Sequence, residues 1–173
     1  MFKFFKQNNS AEGKLYNKIL SLSRDKLFFT IFSLEDTFQN RINLIFFHAS
    51  FLFVRLKQKN PDKLNKKYYQ KMFDFIFNKI ETNMREIGYG DVTVNKNMKF
   101  LVKEFYNILL NCENYKKKDT KSKNQFFLRF LSFIKGQKNT INTQLIEYFD
   151  KYETFCFELN SDSVLDGELN FKY

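Results

Sequence analysis

The chain has few of the residues that punctuate and staple proteins. One proline and five glycines in 173 residues are too few for a turn-rich β-sandwich or for low-complexity disorder. The two cysteines, Cys112 and Cys156, lie far apart in apolar helical contexts. They form neither a disulfide framework nor a metal-ligand spacing. They read as core thiols in a reducing compartment. His48 is the only histidine. No His-based metal cluster, Ser/His/Asp set or Cys/His pair can be assembled around it, and no haem-attachment motif is present. The most apolar run, residues 42–54, is too short to span a bilayer and contains Asn43, His48 and Ser50. The N-terminal MFKFFKQNNS has neither the apolar stretch nor the cleavage site of a signal peptide. These absences argue against an enzyme and against a membrane-spanning protein. No cofactor, metal or small-molecule substrate is expected.

Aromatic residues are abundant: 24 Phe and 9 Tyr, with no Trp. They are enough to build the core of one domain. Their spacing is helical throughout, so the expected class is all-α. The expected architecture is a single-domain bundle of about six helices around a central apolar helix. That domain covers residues 14–159, between a flexible N-terminus at 1–13 and a polar, irregular tail at 160–173. Residues 37–58 carry two apolar stripes, one with Phe38, Ile42, Ile45, Ala49, Leu52 and Leu56 and one with Leu44, Phe47, Phe51 and Val54. A helix apolar on nearly all sides belongs at the centre of a bundle. Asn60-Pro61 ends it, and Asp62 can cap its successor. Residues 114–123, with five lysines, read as a basic linker. Gly136 and Thr140 read as the end of one late helix and the cap of the next.

The segment from Met72 to Tyr106 reads as helix, tight turn, helix. Met72, Phe75, Ile76, Ile80, Met84 and Ile87 share one helix face, and Met98, Leu101, Val102 and Phe105 open the next. Gly88 suits the left-handed residue that closes a helix. Gly90 offers a second permissive joint, and Asp91 or Thr93 can cap the following helix. The Gly88-Tyr89-Gly90-Asp91 turn is no phosphate loop, because it follows a helix and lacks the Gly-Lys-Ser/Thr ending. Arg85 suits the negative end of the helix dipole, whereas Glu86 does not. That conflict predicts a specific partner for Glu86.

Net charge is +10, and the last 27 residues, from Glu147, hold seven acids and two bases. The rest therefore carries +15. A body this basic fits an RNA, a ribosome or an anionic membrane surface, and equally a solvated lysine-rich surface. Lysine–aromatic pairs such as Lys67-Tyr68 suit single-stranded nucleic acid, yet an amphipathic helix yields the same pattern. A basic RNA- or ribosome-binding helical module is thus the alternative function.

His48 sits among phenylalanines and reads as a core histidine hydrogen-bonded within the bundle. Arg41 and Arg55 share its helix. A charge there must pair or reach the surface. Asp74, Glu81 and Glu86 on the next helix are the candidate partners. The pairs would fix how the helices dock, or form a polar patch in a partner-binding groove.

Arg85-Glu86-Ile87-Gly88-Tyr89-Gly90-Asp91, followed by Lys96, Lys99 and Phe105-Tyr106, resembles the signature of the ubiquinol–cytochrome c chaperone family, which reads Leu-Arg-Glu-Met-Gly-Val-Gly-Asp here. The similarity extends to Leu15-Tyr16-Asn17, Asp36-Thr37-Phe38, Arg41, His48, Arg55, Phe73-Asp74, Glu81 and Gly167. It is closest over residues 14–112. Tyr89 stands where the family usually has Val, and Asn95 where many members have Pro or Gly. Lys79 interrupts the acidic run. The resemblance implies an all-α, non-enzymatic assembly chaperone that holds newly made cytochrome b, or another complex III subunit, during assembly of ubiquinol–cytochrome c reductase. The short N-terminus, without a transit peptide, suggests a bacterial-type member. The expected location is the cytoplasm, peripheral on the inner face of the cytoplasmic membrane, or the matrix side in a eukaryote. An apolar groove lined by aromatics would take the client, with the Arg85–Asp91 turn as its rim or its hinge. Lys96, Lys99 and Tyr106 would flank it.

Overall fold

The computed structural model describes residues 10–59, 63–135, 142–160, 163–164 and 166–173. Among them lie six helices longer than one turn and a single-turn helix, with no strand. The chain is all-α. Helix α1 spans Ala11–Ser23, with the Ser10 hydroxyl accepting from the Gly13 N–H at 3.0 Å. It therefore opens three residues before the expected domain start, because Ser10 supplies the cap. One turn, α2, covers Leu27–Thr30 and buries Phe28.

Helix α3, Phe38–Lys59, is the central element. Every residue from Ile42 to Leu56 is buried. It packs against α1, against α4 (Lys63–Glu86), against α5 (Asp91–Glu113) and against α7 (Thr143–Glu158). The Thr37 hydroxyl accepts from the free Asn40 N–H at its start. The Asn60-Pro61 break, Asp62, Gly136 and Thr140 lie outside the described residues. Asn142 caps α7, accepting from the Leu145 N–H at 2.9 Å.

The basic 114–123 segment is largely ordered structure. A 3₁₀ turn covers Tyr115–Lys117, and helix α6 already begins at Thr120, capped by Asp119. Tyr115 anchors it: its ring is 1 % exposed and meets Phe51 edge-on at 5.0 Å. A single aromatic with no periodic neighbours gives no sequence signal, so the lysines around it dominated the reading.

Asparagine side chains hold the irregular connections. The Asn40 amide donates to the Glu35 and Ser132 carbonyls at 2.7 and 2.8 Å, and its oxygen accepts from the Ser132 N–H at 2.9 Å. Asn43 donates to the Phe130 carbonyl at 2.6 Å, and Asn142 to the Phe32 carbonyl at 2.8 Å. These groups satisfy backbone that no helix ladder reaches.

The tail is not loose. Val164 and Leu169 are buried. The Tyr68 hydroxyl donates to the Val164 carbonyl at 3.0 Å. Phe171 lies against Tyr148, Tyr152 and Phe155, at 5.5, 5.1 and 5.3 Å between ring centroids. Its alternating polar residues hid an apolar minority that packs back on α4 and α7.

Candidate functional site

The elbow between α4 and α5 carries the Arg-Glu-x-Gly-x-Gly-Asp segment. Gly88 has φ +100°, a conformation costly for any residue with a Cβ. The Tyr89 N–H donates to the Met84 carbonyl at 3.1 Å and the Gly88 N–H to the Arg85 carbonyl at 3.0 Å. This is the Schellman closure of a helix. Gly90 is different. It sits at φ −71°, ψ 159° as the N-cap of α5, backbone that other residues adopt readily. Asp91 is then the first helical residue and not the cap, and neither it nor Thr93 makes a capping bond.

Arg85 ties the two helices together. Its guanidinium donates to Glu81 one turn earlier, at 2.9 and 3.1 Å, and across the turn to Asp91. Both carboxylates hold the Arg85 pKa above its ordinary value, Asp91 contributing more. The charges also suit the two helix ends, Arg85 at the carbonyl end of α4 and Asp91 at the amide end of α5. Glu86 is exposed and makes no ion pair among the described residues.

Beside this clasp several apolar side chains are exposed. Ile87 is 62 % exposed, Tyr89 42 % and Val92 84 %. Further along α5, Phe100, Tyr106 and Leu110 are also exposed. The Tyr106 ring rests 5.8 Å from Phe73. Lys96, Lys99 and Lys103 share the exposed side of the helix. A shallow trough beside them is lined by Asn95, Met98, Lys99 and Val102. A second, tighter cleft of about 80 Å³ opens between α1, α3 and α4, lined by Tyr16, Leu20, Arg24, Phe38, Arg41 and Ile80 among others.

The remaining sequence candidates lie elsewhere. Arg41 does not pair with α4. It binds Asp36 through two bonds of 2.6 and 2.8 Å and covers the Phe29 ring at 4.9 Å. Asp36 is held below its usual pKa chiefly by the Arg41 hydrogen bond. Arg55, 6 % exposed, turns to the end of α7, donating to the Leu159 carbonyl at 3.3 Å and covering Phe157 at 5.8 Å. Its face of α3 looks towards α7, so Asp74, Glu81 and Glu86 are out of reach. Asp74 accepts from Gln70 at 2.8 Å, and Glu81 is engaged by Arg85. His48 is fully buried. Its Nδ1 is 2.7 Å from the Leu44 carbonyl and its Nε2 is 2.8 Å from the Tyr148 hydroxyl.

Of the twelve candidates, the elbow gathers Arg85, Glu86, Gly88, Gly90 and Asp91, and α5 adds Lys96, Lys99 and Tyr106. Sequence reasoning missed Lys103, Val92, Phe100 and Leu110. Lys103 was findable, since it follows Lys99 by four residues on the same face. Among the described residues no group of three or more His, Cys, Asp and Glu is placed to hold a metal. None of the helices described is long and apolar enough to cross a membrane.

Residues 30–169 match the ubiquinol-cytochrome C chaperone family. The chain belongs to that family. Its match runs from the end of α2 through the elbow and α7 into the packed tail, and so includes the whole candidate site. The fold is also that of a solved structure described as the Cbp3 homolog from Brucella abortus, with a TM-score of 0.79 and 21 % identity over 99 % of this chain and 93 % of that one. No curated protein matches the chain.

Proposed function

We propose that this chain is a non-enzymatic assembly factor that binds newly made cytochrome b and supports assembly of ubiquinol–cytochrome c reductase. The observation that carries this reading is the family match over residues 30–169. The exposed apolar side chains of the turn itself, Ile87 and Tyr89, support it. Singly exposed apolar residues are ordinary on a surface, but a cluster on one turn is the kind of patch that meets another protein. Arg85 and Asp91 keep that patch in one shape, so its residues meet the client without a large ordering cost.

The test is deletion of the gene in its host, with membrane ubiquinol–cytochrome c reductase activity and cytochrome b content as readouts. Loss of both, with other respiratory complexes intact, is expected. Complementation with a chain carrying Ile87→Ser and Tyr89→Ser is expected to restore soluble protein but not cytochrome b. Normal complex III in the deletion strain would overturn the reading.

A further inference from the structure

Helix α5 sorts its charges. Its three acids each face an inward or neighbouring partner: Asp91 pairs with Arg85, Glu104 accepts from Gln39 at 2.6 Å, and Glu113 accepts from Lys57 at 2.6 Å. Its three lysines, Lys96, Lys99 and Lys103, are all exposed and form no ion pair among the described residues. The spacing of three and four residues puts them on one face. Val92 and Leu110 stand about five turns apart on that same face, and Tyr106 lies beside them. The opposite face, with Val94, Leu101, Phe105, Ile108 and Cys112, is buried in the bundle.

The apolar residues are sorted as well. Ten large apolar side chains are exposed among the described residues, and six of them, Ile87, Tyr89, Val92, Phe100, Tyr106 and Leu110, lie on α5 or the elbow leading into it. One side of the molecule therefore presents positive charge and apolar groups together, with the acids of α5 engaged by Arg85, Gln39 and Lys57 and, among the described residues, with Glu86 as the unpaired acid at the elbow. The row from Val92 to Leu110 is about 27 Å long.

We propose that this outward face of α5 docks the protein on an anionic lipid surface. Lysines beside aliphatic groups are what such a surface recognises: the ammonium heads meet lipid phosphates while the apolar side chains enter the headgroup–acyl boundary. The long lysine stems allow both at once. The aliphatic members distinguish lipid from RNA. Val92 and Leu110 have no flat face on which a base could stack, and they would remain in water on a phosphate backbone.

The test uses the purified full chain and vesicle flotation, with neutral phosphatidylcholine vesicles compared with vesicles that also contain phosphatidylglycerol. Binding to the anionic vesicles alone, weakened by salt, is expected. Lys96→Glu/Lys99→Glu/Lys103→Glu should weaken it by at least about 100-fold, since each lysine near such a surface contributes roughly a factor of five to ten. A control, Lys18→Glu/Lys26→Glu/Lys135→Glu, removes the same charge from exposed positions elsewhere and should weaken it far less. Val92→Ser/Leu110→Ser keeps every lysine and should cost about tenfold. Circular dichroism checks that each variant is folded. Absence of binding by the unaltered chain, equal losses in the two lysine triples, or binding to RNA but not to vesicles would each overturn the proposal. No client is present in the assay, so its outcome is separate from that of cytochrome b handling in the host.

Discussion

The Nε2 atom of His48 lies 2.8 Å from the hydroxyl of Tyr148, one hundred residues later in the chain. The pair joins α3 to α7 at the centre of the bundle. The Leu44 carbonyl can only accept, so Nδ1 carries the proton and donates to it. Nε2 then accepts from Tyr148. The ring is neutral and enclosed by Phe28, Phe149 and Tyr152, with centroids 5.9, 5.4 and 4.8 Å away.

That arrangement makes stability depend on acid. Burial lowers the His48 pKa from 6.5 to about 4, against an opposing contribution from the Leu44 carbonyl. The unfolded chain takes up a proton near pH 6.5 and the folded chain does not. The stability is fully present above pH 6.5 and declines as pH falls towards 4, by about 3 kcal/mol in all. Urea unfolding from pH 7.5 to 4 should show the decline. His48→Gln should be less stable at pH 7.5 and lose most of the slope between pH 6.5 and 4. An unchanged slope would assign it to carboxylates.

The two glycines of the elbow should respond differently to alanine. Gly88→Ala forces a Cβ into φ +100° and is expected to cost about 1–2 kcal/mol. Gly90→Ala has an ordinary φ and no atom within 4 Å of the added Cβ, so its effect should stay within about 0.5 kcal/mol. Thermal unfolding of the two variants side by side decides it.

Asn40 should be among the most sensitive polar positions. Asn40→Leu removes three hydrogen bonds to the backbone of Glu35 and Ser132. The Ser132 N–H is left without its partner, while the Glu35 and Ser132 carbonyls keep the Thr37 and Glu35 N–H groups, and a loss of about 2–3 kcal/mol is expected. Amide exchange should rise at residues 33–35 and 132–134 before the central helix is affected.

Gly167 is where the tail touches α1. A Cβ there would stand 2.8 Å from both the Ala11 carbonyl oxygen and the Lys14 Cβ, and φ is +79°. Gly167→Ala should therefore lift the tail or shift α1, at a cost of about 2 kcal/mol. Hydrogen exchange over residues 163–173 should rise together with that of the α1 N-terminus. Leu169→Ala, which leaves the turn intact, is expected to cost about 2–3 kcal/mol through the emptied core position.

The elbow was legible because its signals are local. A glycine after the last apolar residue of a period closes a helix whatever surrounds it, and Gly88 does so. The central helix was legible for the same reason: residues 42–56 are apolar on nearly all sides, and only the middle of a bundle accepts such a surface. The role of Arg85 was half legible. Its suitability for a helix end could be read, but its bond to Asp91 depends on the angle at which α5 leaves the turn. The sorting of α5 was not legible, because Glu104 and Glu113 look like ordinary surface acids until Gln39 and Lys57 of α3 are seen beside them.

The sequence by itself determined the all-α class, the central helix, the turn at Gly88 and the family signature, since each depends on residues within a few positions of one another. Only the tertiary structure decided which way Arg41 and Arg55 turn, that Tyr115 pins the lysine-rich segment, and that the tail packs. It alone also showed which lysines of α5 remain unpaired. Those outcomes rest on contacts such as Asn40 with Ser132, Tyr68 with Val164 and Gly167 with Ala11. Their partners are some 90 to 160 positions apart in the chain, and no periodicity links them. Packing, not local propensity, brings them together.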